Sequence, residues 1–175
     1  MPNSKATQPS TLVPQVGQPL PDFSLPMAMP NANGDISEST LTTQSARGQS
    51  LVLFFYPKDA TSGCTIEVCG FRDLYPEFQK ENVQVVGVSR DNIRSHIRFI
   101  QNQNLPYPLA ADLGGELIKS WGLLVNKTMY GKPVTGVLRT TLLIDREGIV
   151  RHIFEKVTPL GHAQQVLDAV RAGFE

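Results

Sequence analysis

Three short stretches, SLVLFFYP (50–57), VQVVGVS (83–89) and TTLLID (140–145), place apolar residues next to one another rather than only at every second position. A strand with one wetted face alternates apolar and polar residues, so unbroken runs of Val, Leu, Ile and Phe require strands covered on both faces. Pro57 closes the first run, and a fourth run, IVRHIF (149–154), follows the third after the turn residues REG.

Helical segments separate these runs. From Gly63 to Lys80 the apolar residues Ile66, Phe71, Leu74 and Phe78 recur at steps compatible with a helix, which Pro76 is expected to kink or end. A second helix is expected to start at Asp91 as its N-cap, with Ile93, Ile97 and Ile100 on one face. GGELIKSW (114–121) predicts a short third. A fourth begins with Thr158 as cap and Pro159 in its first turn, passes through Val166, Leu167 and Val170, and stops at Gly173. Strand and helix alternate apart from the final hairpin, which predicts an α/β sandwich with a central mixed sheet flanked by helices. Phe54, Phe55 and Trp121 are expected in its core. Proline at 2, 9, 14, 19 and 21 among mostly polar neighbours predicts an extended arm, placed at residues 1–16, that leads into one domain over residues 17–175. A chain of 175 residues is long enough for one sizeable core and short for two.

Charge narrows the partners. Lys plus Arg and Asp plus Glu number 16 each, so no net field draws the chain to nucleic acid or to an anionic membrane surface. No apolar run approaches the roughly 20 residues of a spanning helix, and the start MPNSKATQPSTL lacks the apolar centre of a secretion signal. The expected location is cytoplasmic, where two cysteines rarely form a permanent staple. His96, His152 and His162 lie far from both cysteines in sequence and at no ligand spacing from one another, so no metal site is expected. His96 and His162 are expected as helix caps or surface residues.

Both cysteines, Cys64 and Cys69, fall in PKDATSGCTIEVCGF (57–71), five positions apart. Cys64 follows a strand, Pro57 and the loop KDATSG, at the first turn of the next helix. Unpaired backbone N–H groups and the helix dipole favour an anion there, so a thiol in such a place ionises more readily than its reference near 8.5. Position alone fits equally well a small hydrophobe buried at a strand-to-helix junction. On a regular helix five residues give about 7.5 Å of rise and about 140° of rotation, which sets the Cα atoms roughly 8 to 9 Å apart. A disulfide usually spans less than about 7 Å. The sulfurs could join only after local unwinding, a spacing suited to a first thiol that reacts while folded and a second that resolves the product afterwards.

The segment FFYPKDATSGCTIEVCGFRDL (54–74) resembles the active-site segment of the peroxiredoxins, and within them the peroxiredoxin Q group, also called bacterioferritin comigratory proteins. Pro57, Thr61 and Cys64 meet the family pattern of Pro, three residues, Thr, two residues, Cys, and Cys69 meets the resolving cysteine of many members of the group. SHIRF (95–99), NLPYPLAADLGGELIKSWG (104–122) and RTTLLIDREGIV (139–150) extend the resemblance to about residues 17–172. Ser62 stands where the group usually has Pro, and Leu142 where an aromatic is common.

The resemblance implies a thioredoxin-like sandwich and a thiol-dependent peroxidase acting on hydrogen peroxide and organic hydroperoxides. Cys64 would be the peroxidatic nucleophile, oxidised to a sulfenic acid, and Cys69 the resolving thiol of the same chain. Thr61 and Arg139 would hold sulfur and peroxide, the backbone N–H groups at Gly63 and Cys64 would assist, Pro57 would shield the site, and Glu67 would orient Arg139. Read without the resemblance, Thr61 is a helix N-cap, Pro57 a strand terminator, and Arg139 and Glu67 surface residues. No cofactor is implied. The implied partners are the peroxide and thioredoxin or a similar dithiol, and a resolving thiol in the same chain leaves a monomer sufficient. A general thiol-disulfide oxidoreductase, or a redox sensor or holdase using the same disulfide switch, remains an alternative on these residues.

Overall fold

In the computed structural model, which describes residues 13–173, the unbroken apolar runs are inner strands of a seven-stranded sheet. Most of the arm expected over 1–16 lies outside the described residues. In chain order the elements are β1 (Ser24–Pro30), β2 (Ile36–Thr42), β3 (Ser50–Phe55), α1 (Ser62–Lys80), β4 (Val83–Ser89), α2 (Ile93–Gln103) and β5 (Leu109–Ala111). They continue with α3 (Glu116–Ser120), β6 (Leu124–Met129), β7 (Lys132–Val137), β8 (Thr140–Ile144), β9 (Val150–Phe154) and α4 (His162–Arg171). The sheet order is β2-β1-β5-β4-β3-β8-β9, and β6 and β7 form a separate hairpin. β3, β4 and β5 run parallel, while β8 lies antiparallel to β3 and β1 antiparallel to β5, so the sheet is mixed.

Successive side chains of β3 go to opposite faces, and both faces are covered. Val52, Phe54 and Tyr56 join Val68, Phe71 and Phe78 of α1, Phe99 and Ile100 of α2, and Val166, Leu167 and Val170 of α4. Leu51, Leu53 and Phe55 join Val86, Val88, Leu142, Ile118 and Trp121 on the other side. This is the physical origin of the missing alternation, since every position from Leu51 to Phe55 removes apolar area from water at about 1.5 to 3 kcal/mol per large side chain. Phe54 stacks on Phe71 with ring centroids 4.5 Å apart. Gly87, paired with Phe54 across β3 and β4, makes room for that ring, because a Cβ there would lie 2.7 Å from it.

Several sequence expectations are corrected. α1 does not end at Pro76 but continues through it to Lys80. Past the proline, Phe78 is fully buried and Glu77 pairs with Lys80 and with Arg171 of α4, contacts that offset the lost N–H. The cap of α2 is Asn92 rather than Asp91: the Asn92 side chain accepts from the Ser95 N–H at 2.8 Å. α4 begins at His162 after Gly161 (φ 81°) rather than at Thr158, and residues 158–161 form the turn that precedes it. His96 and His162 are neither surface residues nor caps; both are buried, against Asp59 and Thr141 respectively.

Two hairpins escaped the sequence reading. β1 carries Pro26 and Pro30, which argue against a strand, and β2 is almost wholly polar, so neither shows an apolar run. Within β1, however, Leu25 and Met27 are buried at alternate positions in one core and Ala28 is buried in the other. β6 and β7 bury only Val137, and their two-residue turn, Tyr130 (φ 53°) and Gly131 (φ 78°), has the positive φ pair that tight hairpins favour. The chain before β1 is also more than a lead-in: the Gly17 N–H donates to the Val150 carbonyl at 2.8 Å, and Leu20 is buried in the second core.

Candidate active site

β3 delivers the chain to the site. The Tyr56 N–H still donates to the Val88 carbonyl at 3.0 Å, after which half-buried Pro57 turns the chain into a loop that ends at the first turn of α1. Thr61 is the N-cap residue by backbone conformation (φ −80°, ψ 157°), yet its side chain makes no cap bond. Its hydroxyl donates instead to the Lys58 carbonyl at 3.0 Å, which closes the loop on itself. Cys64 follows as the third residue of α1 and is fully buried.

Arg139 reaches this turn from the residue before β8, the strand paired with β3, 75 positions later in the chain. Its backbone carbonyl accepts from the Val157 N–H at 3.1 Å, and the preceding Leu138 N–H donates to the Leu123 carbonyl at 2.7 Å, so its Cα is fixed before β8 begins. From there Nη2 donates to Cys64 Sγ at 3.2 Å and Nη1 to Glu67 Oε1 at 2.7 Å. One guanidinium bridges both because Cys64 and Glu67, three residues apart, share a face of α1. Gly63 permits the approach: a Cβ at that position would lie 2.9 Å from Nη2.

Glu67 is not the exposed carboxylate that its place on a helix allowed. Its side chain is wholly buried and only Oε1 is partnered, leaving Oε2 without a hydrogen bond among the described residues. Burial pushes its carboxyl from the usual 4.5 up to about 7, against the opposing pull of Arg139. The unpartnered Oε2 is where that proton would sit.

Cys69 lies on the same unbroken helix but looks elsewhere. Its Sγ donates to Gln103 Oε1 at 3.4 Å, at the end of α2, and burial pushes its thiol up, with Arg72 lowering it and Asp73 raising it. Both cysteines are free thiols. Of the residues singled out from sequence, the fold therefore brings Cys64, Glu67, Arg139 and Gly63 into contact. Thr61 and Pro57 stand on the adjoining loop without a bond to the sulfur, and Cys69 stands apart from it. Sequence reasoning missed Asp59, whose carboxylate and N–H fasten the loop from inside; its only signal was an acidic residue in a loop between a buried strand and a helix.

Comparison with known proteins agrees over most of the chain. Residues 16–153 match the AhpC/TSA family. Peroxiredoxin Bcp of Xanthomonas campestris pv. campestris is 41% identical over 155 residues, which cover 88% of this chain and 92% of that protein. Among solved structures, the bacterioferritin comigratory protein of Xanthomonas campestris, studied for its alkyl peroxide reduction activity in trapped intermediate and ligand complexes, superposes with a TM-score of 0.73. That match has 38% identity over 86% of this chain and 92% of that one. A cysteine-to-serine mutant of Xylella fastidiosa PrxQ superposes with a TM-score of 0.81 at 32% identity, over 93% and 98% of the two chains.

Proposed function

This chain belongs to the AhpC/TSA family and is a thiol-dependent peroxidase with a thioredoxin-like fold, an oxidoreductase that spends a thiol reductant on a peroxide; on that footing we propose that Cys64 is the thiol that meets the peroxide and Cys69 the thiol that resolves the product. The observation that carries the assignment is the Arg139 guanidinium, which donates to Cys64 Sγ at 3.2 Å while held by buried Glu67 at 2.7 Å.

In the proposed cycle the Cys64 thiolate attacks the terminal oxygen of the peroxide. An S–O bond forms, the O–O bond breaks, sulfur gives up two electrons, and the departing oxygen leaves as water or alcohol after taking a proton. Negative charge moves from sulfur to that oxygen in the transition state. Arg139, with donors on the sulfur side already in place, stabilises the moving charge, and the N–H groups at Gly63 and Cys64 and the Thr61 hydroxyl are within the same turn to assist. Thr61 would have to exchange its bond to Lys58 for one to the peroxide. Pro57 would shield the site from water.

Cys69 then attacks the sulfenic sulfur, water leaves, and a disulfide forms within one chain. α1 must unwind between them, because the helix sets their Cα atoms roughly 8 to 9 Å apart. A dithiol of the thioredoxin kind is the proposed reductant, acting on a cytoplasmic monomer; among the described residues no helix is long and apolar enough to cross a membrane. Organic hydroperoxides are included with hydrogen peroxide because the Xanthomonas campestris relative reduces alkyl peroxides. The test is peroxide consumption coupled to thioredoxin with each substrate. Reduction of insulin disulfides without consumption of any peroxide would replace this reading with that of a thiol-disulfide oxidoreductase.

The buried carboxyl supplies a stability prediction. Between pH 4.5 and about 7 folded Glu67 keeps a proton that the unfolded chain has lost, so this group's contribution to stability declines as pH rises through that window and is flat above it. Glu67→Gln, which keeps an oxygen for Arg139, is expected to remove that decline. Urea midpoints of the two proteins should diverge in favour of the variant from pH 4.5 to about 7, and parallel midpoints would place the proton elsewhere.

A further inference from the structure

The loop between β3 and α1 is fastened by groups that the proposed chemistry does not use. Asp59, 6% exposed, donates its backbone N–H to Asp91 Oδ2 at 2.9 Å. Its Oδ1 accepts from the Tyr56 hydroxyl at 2.6 Å, and its Oδ2 from the Ser95 hydroxyl at 2.8 Å. His96 of α2 is fully buried, with Nδ1 2.7 Å from the same Oδ2 and Nε2 2.9 Å from the Ala110 carbonyl of β5. Asp91 in turn accepts from the Ser89 hydroxyl at 2.6 Å.

Both partners of the imidazole are oxygens. A neutral ring donates through one nitrogen only, which would set the lone pair of the other against an oxygen in a dry interior. A carbonyl can only accept, so Nε2 carries a hydrogen. At Nδ1 the proton must lie either on the ring or on the carboxyl. Asp59 already accepts from two hydroxyls, Tyr56 on Oδ1 and Ser95 on Oδ2, so it faces the ring as an acceptor too, which leaves the hydrogen on Nδ1.

The anchored residue is followed by a strained one. Ala60 has φ 64°, a left-handed conformation that a residue with a Cβ rarely takes, and it persists only where its neighbours hold it. On one side stands Asp59, and on the other the Thr61 hydroxyl on the Lys58 carbonyl. Cys64 lies four residues beyond Ala60, at the start of α1.

We propose that His96 is held as the imidazolium and that its ion pair with Asp59 positions the loop from Pro57 to Cys64 for the reaction with peroxide; this rests on the assignment of Cys64 as the peroxide-reacting thiol. His96 and Asp59 touch neither sulfur nor substrate and act through the loop. The pair also sets where unwinding starts: the segment before Ala60 stays fastened to α2 and β5 while the first turns of α1 open.

Two measurements test this. The ring nitrogens of His96 in the reduced wild-type protein, observed by ¹⁵N–¹H NMR at neutral pH, should both carry slowly exchanging protons. A bare Nδ1 or Nε2 would overturn the charge assignment whether or not Cys64 reacts with peroxide, so the two readings fail separately. For the positioning role, His96→Asn keeps a donor near Nδ1 and His96→Gln one near Nε2. His96→Gln should slow Cys64 oxidation by hydrogen peroxide roughly 10- to 100-fold, the scale of a misplaced reacting group. His96→Asn should slow it less, and neither should slow the later conversion of sulfenic acid to disulfide. Equal losses, or a loss in the second step alone, would overturn positioning through Asp59. Tyr56→Phe removes one donor from Asp59 while keeping the ring in the core, and serves if the histidine variants do not fold. It should cost about fivefold in the first step, the scale of one hydrogen bond, and an unchanged rate would contradict the proposal.

Discussion

Arg139→Ala is expected to lower the second-order rate constant of Cys64 with hydrogen peroxide by about 10²- to 10³-fold, the cost of removing a pre-aimed donor from a developing charge. Ionisation alone does not account for a loss of that size. A thiol with the reference value near 8.5 is already a few per cent ionised at neutral pH, so complete ionisation gains only about 30-fold, or roughly 2 kcal/mol. The larger part must come from charge stabilisation as the O–O bond breaks. Arg139 suits that task because its Nη2 is already at 3.2 Å from the sulfur and its Nη1 is held by Glu67. Gly63→Ala probes the same term without removing the guanidinium, since the added Cβ would sit 2.9 Å from Nη2 and push it off the sulfur. It should reproduce part of the loss. Stopped-flow oxidation with single turnovers separates this step from recycling, and an Arg139→Ala loss of 30-fold or less would return the effect to thiolate fraction.

Cys64→Ser is expected to abolish peroxide consumption, and Cys69→Ser to leave the first oxidation intact while stopping turnover. The two thiols differ in their surroundings as well as their roles. Cys64 faces the guanidinium, whereas Cys69 faces an amide oxygen on α2 and is pushed toward the neutral thiol by burial. In the Cys69 variant one equivalent of peroxide should be consumed at the wild-type rate and the sulfenic acid should accumulate, trappable by dimedone. Excess peroxide should then carry it to the sulfinic acid. Unchanged turnover of Cys69→Ser with thioredoxin as reductant would mean that some other group resolves the intermediate.

Much of the architecture was legible because its inner strands are covered on both faces, which leaves adjacent apolar residues within 50–57, 83–89 and 140–145. The edges were not. β1 carries two prolines, β2 is mostly polar, and β6 and β7 bury only Val137, so none of the four shows an apolar run. The trio of Cys64, Glu67 and Arg139 shows both sides of this. Helical spacing predicts that Cys64 and Glu67 share a face, but no periodicity could bring Arg139 across 75 positions, and only the resemblance singled it out. His96, expected as a cap or surface residue, shows nothing in its local sequence that marks it as buried. Its buried partners, Asp59 and Ala110, come from a loop and a strand that local sequence does not connect.

The claim on which the cycle turns is that the two sulfurs meet only when their shared helix opens. α1 is continuous from Ser62 to Lys80, and Val68, between the two cysteines, is fully buried with its carbonyl accepting from the Tyr107 hydroxyl at 2.6 Å. Opening therefore exposes a core residue and costs a buried hydrogen bond, and the disulfide must hold the segment open against both. Amide hydrogen exchange over residues 62–72, compared between the reduced protein and the protein whose Cys64–Cys69 disulfide has been mapped by mass, reads this directly. Protection in the reduced protein that is lost on oxidation, with strands β3 and β4 unchanged, is the predicted result. A mapped disulfide that leaves those amides as protected as before would contradict the account.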